Sequence, residues 1–413
     1  MAVIKKVGSV ILGIAVLIGC IGKFKPSLFF DLPFPFSVLL WMTTGHSMPP
    51  YFMDDAWKED EIDTWMKDGD LVVATGAKSG TTFMLYCTHQ IRTKGTDTND
   101  DLFPDVSIST PWPDLRQSRD GTWAEQKDRY NTTIVEGRPM SYYWDNPAYP
   151  FRIFKSHFAP PELPVRKSSG KKIKYLAMAR NGLDVAASMT SFYSAHTQKF
   201  RELWGGGYLV SGCDSRLMCE CLLFMIEISI TVRLISNANP LRSSHVPDGE
   251  THPVMNDLLP PGPLNEIYFG YNNKWWEYRN DSNVLLLHYA NVRNDLKGSV
   301  AKIADFVGVE LTPEELDTVS ERCSIEHMKK VNRFNYLMPL NKDKGFWDPS
   351  TDKIIRDNEL VNKGLVGKGP SIHACGKNAF TDEIVERWMK AEEEQFGHDP
   401  ALLKWLREGG PFP

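Results

Sequence analysis

The sequence predicts an α/β protein, a single domain with a central parallel β-sheet flanked by helices. Three observations lead there. Short apolar runs recur at Leu71–Thr75, Tyr175–Ala179 and Val284–Tyr289. Each is followed by a stretch with helical spacing of its apolar residues, and each is apolar throughout, as a strand covered on both faces must be. With 413 residues, 42% of them hydrophobic and 24% charged, the chain can bury one large core. Enzymes of this class and length are often one domain with loop insertions.

The elements follow in chain order. Lys5 and Lys6 precede an uncharged, mostly apolar run from Val7 to Gly22, closed by Lys23, Lys25 and Pro26. A run of that length lies at the lower edge of what spans a bilayer and also matches the apolar region of a signal peptide. Residues 1–26 are therefore read as a membrane anchor or signal-anchor. This implies a single-pass membrane protein with its domain facing a lumen such as that of the Golgi; the cytoplasm is the alternative. Residues 27–61 are a linker or peripheral segment, and the main domain is expected over 62–413. Asn131-Thr132-Thr133 and Asn280-Asp281-Ser282 are glycosylation sequons that only a lumen would use.

Asp54 to Asp70 reads as an amphipathic helix with Ile62, Trp65 and Met66 on one side. The run Leu71–Thr75 ends in Gly76, and a helix is expected from Thr81 to Ile91. The second run leads into a helix from Leu183 to Tyr193. The third leads into an amphipathic helix carrying Leu296, Val300, Ile303 and Val307. Between Phe200 and Asn265 the chain is rich in Gly, Pro, Asn and Ser around one apolar stretch, Leu217 to Ile235. This region reads as an insertion over a site.

A formal charge of −5 argues against a nucleic-acid partner, so an anionic ligand needs a local basic patch. Between Arg152 and Arg180 lie Lys155, Arg166, Lys167, Lys171, Lys172 and Lys174, opposed only by Glu162. The middle of that run is a solvated basic loop, whereas its two ends carry chemistry. The cysteines number seven, which fits no paired framework, and Cys213, Cys219 and Cys221 lack a second pair at zinc-ligand spacing.

Gly76-Ala77-Lys78-Ser79-Gly80-Thr81-Thr82-Phe83 falls where a strand turns into a helix. There, backbone N–H groups and the positive helix end converge on an anion, Gly80 permits close approach, and Lys78 and the threonine hydroxyls add donors. A nucleoside-triphosphate P-loop needs Gly-Lys-Ser/Thr in that order. Here the lysine precedes the glycine. This order disfavours a P-loop nucleotide kinase or NTPase, which stays open as the alternative beside a non-catalytic nucleotide-binding relative.

Lys78-Ser79-Gly80-Thr81-Thr82 after a strand resembles the 5′-phosphosulfate loop of the cytosolic-type sulfotransferases. The resemblance implies a P-loop-like (nucleoside-triphosphate-hydrolase-like) sulfotransferase fold. It also implies transfer of a sulfuryl group from 3′-phosphoadenosine 5′-phosphosulfate (PAPS) to a hydroxyl or amine, without a metal. Lys78 would neutralise the leaving phosphate, Ser79, Gly80, Thr81 and Thr82 would hold the 5′-phosphate, and Phe83 would stack on adenine in place of the usual tryptophan. Arg180, with Ser188 eight residues later, resembles the family's 3′-phosphate motif. Lys155-Ser156-His157 resembles its Lys-Thr-His segment, with His157 as general base and Lys155 stabilising the sulfuryl oxygens. Lys78, Lys155, His157 and Ser188 make up the implied catalytic set. Lys363 and Gly364 resemble the segment that closes over the 3′-phosphate, although Asn362 stands where its arginine is usual. Lys377 to Asp382 resembles the short dimerisation segment, with Asp382 in place of a valine, and implies a homodimer. The acceptor would be a small molecule, a lipid or a glycan. Trp112, Trp123, Tyr142, Tyr143 and Trp144 suit either an acceptor pocket or the core.

Overall fold

The apolar runs form three strands of a four-stranded parallel sheet. Its strands are β1 (Leu71–Ala74), β2 (Ile153–Ser156), β3 (Lys174–Ala179) and β4 (Val284–His288), in the spatial order β2-β1-β3-β4. The structure, a computed structural model, describes residues 52–115, 122–166, 170–195, 258–260, 262, 265–331, 333–334, 347–348, 353–354 and 380–413. The apolar N-terminal run, the stretch 217–235, Cys213, Cys219, Cys221, Lys363 and Gly364 lie outside the described residues.

Alternation along each strand feeds two cores. Val72, Ala74, Phe154, Tyr175 and Ala177 point to one face, where Trp275 and Trp388 cover them. Leu71, Val73, Ile153, Leu176 and Met178 point to the other, against Met84, Ile91, Val300 and Ile303. Because both faces are buried, the strands read as continuous apolar runs. Register is fixed by pairs such as Val72 with Phe154 on one side and with Tyr175 on the other.

The helices fall close to their expected places. Helix α2 spans Thr81–Arg92, α4 spans Gly182–Ala195, and α6 spans Leu296–Val307. Asp295 caps α6 by accepting from the Gly298 N–H, and Gly308 ends it in the left-handed conformation. The expected helix from Asp54 to Asp70 is shorter, with α1 confined to Glu59–Trp65 behind a single 3₁₀ turn at Asp55–Trp57. The chain is extended at Lys58 and Met66, and beyond α1 a turn closes when Asp70 Oδ2 accepts from the Lys67 N–H at 2.6 Å. Helices α3 (Trp123–Thr132), α5 (Phe269–Glu277), α7 (Pro313–Arg322), α8 (Asp382–Phe396) and α9 (Pro400–Glu408) complete the coverage.

Strand order fixes where a ligand can bind. From β1 the chain crosses to β2 on one side, and from β3 it crosses to β4 on the other. The crevice between the carboxyl ends of β1 and β3 is therefore the topological switch point. Among the described residues no helix is long and apolar enough to cross a membrane. Cys87 and Cys323 are buried free thiols.

At the opposite, amino end of the sheet, Arg152 Nε donates to Asp70 Oδ1 at 2.9 Å and Arg152 Nη2 donates to the Trp65 carbonyl at 2.7 Å. Both side chains are buried, and desolvation raises the Asp70 carboxyl above its ordinary range against the pull of Arg152. Arg152→Met would leave that carboxylate buried without its partner, at a cost of ~3–5 kcal/mol in urea denaturation. The double variant Asp70→Asn, Arg152→Met should recover most of the loss.

Candidate functional site

The turn after β1 is built around two left-handed residues, Lys78 at φ 59° and Gly80 at φ 97°. Ser79 donates its N–H to the Gly76 carbonyl at 3.1 Å and closes the turn. A Cβ on Gly80 would lie 2.8 Å from Met178 Cε and 2.9 Å from the Tyr289 ring, so only glycine fits. Thr75 Oγ1 and Thr81 Oγ1 lie 2.5 Å apart, which ties the strand end to the first residue of α2. No side chain caps α2 at Gly80. The amides of its first turn and of the loop therefore form a cradle suited to an anion.

Arg180 follows β3 and reaches across to this turn. Its Nη1 donates to the Lys78 carbonyl at 2.8 Å, and its Nη2 lies 3.5 Å from Asp184 Oδ2. The guanidinium also sits 4.7 Å above the Tyr289 ring. Among the described residues the buried Arg180 Nε has no hydrogen-bond partner. The ion pair with Asp184 thus leaves part of the donor fork available to a ligand. Ser188 is buried two turns along α4.

Lys155 and His157 bring the end of β2 to the same loop. Lys155 is buried, with its Nζ 3.3 Å from the centroid of the Trp112 ring. His157 Nδ1 lies 2.9 Å from the Thr75 carbonyl oxygen. A carbonyl can only accept, so Nδ1 carries the proton and Nε2 presents its lone pair. Burial lowers the imidazole pKa to about 3, and the charges of Lys155 and Lys78 add to that shift. The ring is therefore neutral across the physiological range, with the Nε2 lone pair unprotonated. A recess beside it is lined by Ala77, Phe158, Ile267 and Tyr271, with Glu162 and Lys274 also on its wall.

Several expected residues converge here and others do not. Lys78, Ser79, Gly80, Thr81, Thr82, Lys155, His157 and Arg180 share the loop and the strand ends around it. Phe83 sits half-buried on the first turn of α2 and packs against the core. Tyr268 is buried with its hydroxyl donating to Glu392 at 3.1 Å. Trp123, Tyr143 and Trp144 belong to the core, and only Trp112 of that aromatic group meets His157, edge-on at 5.2 Å. Sequence reasoning missed Asp114, Tyr271 and Tyr289. Tyr271 donates to the Ala74 carbonyl at 2.6 Å, and Tyr289, at the carboxyl end of an apolar strand, is the one whose position could have announced it.

Comparison with known proteins identifies the family. A family model described as the sulfotransferase domain matches residues 68–399. Sulfotransferase 2A6 of Mus musculus is 25% identical over 360 residues, covering 86% of this chain and 95% of that protein. Sulfotransferase 2A1 of Rattus norvegicus is 25% identical over 341 residues, covering 82% and 89%. Among solved structures, retinol dehydratase in complex with androsterone and inactive cofactor PAP is 19% identical, with a TM-score of 0.45 over 80% of this chain and 82% of that one.

The half-buried, desolvated imidazole makes a pH prediction. The unfolded chain protonates His157 near pH ~6.5, whereas the folded protein does so only near about 3, so acidification through that window favours the unfolded chain. Relative to wild type, His157→Gln should gain stability progressively as the pH falls from ~6.5 to ~4, read from denaturation midpoints. A constant difference across that range would show that the folded imidazole takes up its proton normally.

Proposed function

We propose, for a chain that belongs to the sulfotransferase-domain family and is a PAPS-dependent sulfotransferase, that transfer takes place in the crevice at the carboxyl ends of β1, β2 and β3. One observation carries the reading. The hydrogen bond from Arg180 to the Lys78 carbonyl unites two anion-gripping elements in one crevice, and His157 is anchored on Thr75 of the same loop. The uncapped start of α2 and the Arg180 Nε, unpartnered among the described residues, fit a nucleotide with two separated anionic groups.

The donor supplies the sulfuryl group and departs as 3′-phosphoadenosine 5′-phosphate (PAP). Lys78 and the amides from Ser79 to Thr82 hold its 5′ side, with Phe83 nearby for the base. Arg180 and Ser188 hold the 3′-phosphate, and Lys363 and Gly364 belong to the same grip. His157 Nε2 takes the proton from the acceptor hydroxyl or amine as that atom bonds to sulfur. Lys155 faces the charge that develops on the sulfuryl oxygens, a role that positioning and preorganised positive charge can fill. A nucleoside-triphosphate kinase is not favoured, because Lys78 precedes Gly80.

The acceptor is a small molecule bearing a hydroxyl or amine. The relatives named 3-alpha-hydroxysteroid sulfotransferase, of Cavia porcellus, and Amine sulfotransferase, of Oryctolagus cuniculus, support both acceptor groups. A lipid acceptor would accord with an anchor at Val7–Gly22, and a glycan with a luminal domain. The anchor predicts that the full chain stays in the membrane pellet after alkaline carbonate extraction. Release into the supernatant would remove it and favour the cytoplasm. Pairing of two copies through Lys377–Asp382 is the corresponding proposal for assembly.

Calorimetric titration with PAP, AMP and ATP plus Mg²⁺ tests the central reading. Wild type should prefer PAP, and Arg180→Ala should lose that preference by about 1.5–3 kcal/mol, the range for a hydrogen bond to a charged group. Preference for ATP with Mg²⁺ would sink it. His157→Ala should keep PAP binding and lose transfer.

A further inference from the structure

The crevice is backed by an acid that the transfer chemistry above does not use. Asp114 is fully buried. Its Oδ2 accepts from the His157 N–H at 2.7 Å, from Ser156 Oγ at 2.9 Å and from Trp112 Nε1 at 3.3 Å. Its Oδ1 accepts from Trp57 Nε1 at 2.7 Å. The segment that carries it also holds β2 directly, since the Pro111 carbonyl accepts from the Lys155 N–H at 2.8 Å.

A carboxylate without exposure is costly unless its lone pairs are filled, and here they are filled by donors with a common address. Three of the four belong to the transfer site: the backbone of the base, the residue before it, and the ring on which Lys155 rests. Desolvation raises the carboxyl pKa to about 6, although all four donors pull it down. Replacing a buried acid by an apolar side chain strands its donors, so the acid holds in place whatever groups they belong to. This one sets the position of two reacting groups at once.

We infer that Asp114 is a positioning residue for sulfuryl transfer, aiming the His157 imidazole through its backbone and holding the Trp112 ring under the Lys155 ammonium. The inference rests on the transfer site proposed above. It makes β2 and the Trp112 segment one rigid unit, so the distance between base and ammonium does not depend on the acceptor. Removing the carboxylate frees the His157 backbone, loosens the Nδ1 bond to Thr75, and lets the ring proton redistribute between its two nitrogens.

The test uses the full chain labelled with ¹⁵N-histidine, with the His157 signals identified by their loss in His157→Gln. Wild type should show the Nδ1-protonated tautomer. Asp114→Ala should shift its Nε2 resonance toward a mixed population while PAP affinity by calorimetry stays within about threefold, as for a site that does not touch the nucleotide. Asp114→Asn should restore part of the wild-type signal, because the amide carbonyl can still accept the bonds made to Oδ2. A folded Asp114→Ala protein with an unchanged His157 spectrum overturns the inference. Should that variant not fold, Ser156→Ala takes its place, and a smaller shift in the same direction supports the inference whereas no shift overturns it. Failure of wild type to bind PAP is a separate result, which removes the transfer site itself and with it this role for Asp114.

Discussion

A backbone carbonyl decides where the proton on His157 sits. The Thr75 oxygen has only lone pairs to offer, so the imidazole nitrogen facing it must carry the hydrogen. The hydroxyl of the same residue is bonded to Thr81 and fixes the start of α2. One buried threonine at the end of β1 therefore orients both the candidate base and the anion cradle. The parallel sheet makes this economical, because adjacent strands deliver Thr75, His157 and Arg180 to the same edge.

The two ends of the sheet treat charge differently. At the amino end, Asp70 and Arg152 form a buried pair that holds β1 to β2. At the carboxyl end, Lys78, Lys155 and Arg180 gather around one crevice in a chain whose formal charge is −5. Local sign, not net charge, sets which ligand the protein attracts. Asp114 is held one layer behind the crevice by its donors, fully buried, while Asp184 pairs with Arg180 at the crevice itself.

Much of this was legible in the sequence because short apolar runs between turn residues leave few alternatives. Leu71–Ala74, Lys174–Ala179 and Val284–His288 announced themselves. Ile153–Ser156 did not, since Lys155 and Ser156 interrupt its apolar character, and their burial in a strand depends on neighbours far away in sequence. The lysine and histidine of that segment were recognised by motif resemblance, whereas their support was not. Asp114 sits between Pro113 and Leu115 with no periodicity to mark it, and its role exists only once Trp57, Trp112 and His157 have been brought together. The aromatic residues were equally ambiguous: Trp112 and Trp144 look alike in sequence, yet one faces the base and the other is core.

The contact between Lys155 and Trp112 has a consequence for how the crevice keeps its field. A lysine seated against a carboxylate is stabilised by being cancelled, and at a distance the pair looks like a weak dipole. An indole ring attracts the ammonium through its quadrupole, which falls off steeply and carries no net charge. The ring thus offsets part of the desolvation of Lys155 without itself adding a charge that cancels the ammonium. Replacing that aromatic by an acid of similar reach would hold the lysine as firmly and silence it.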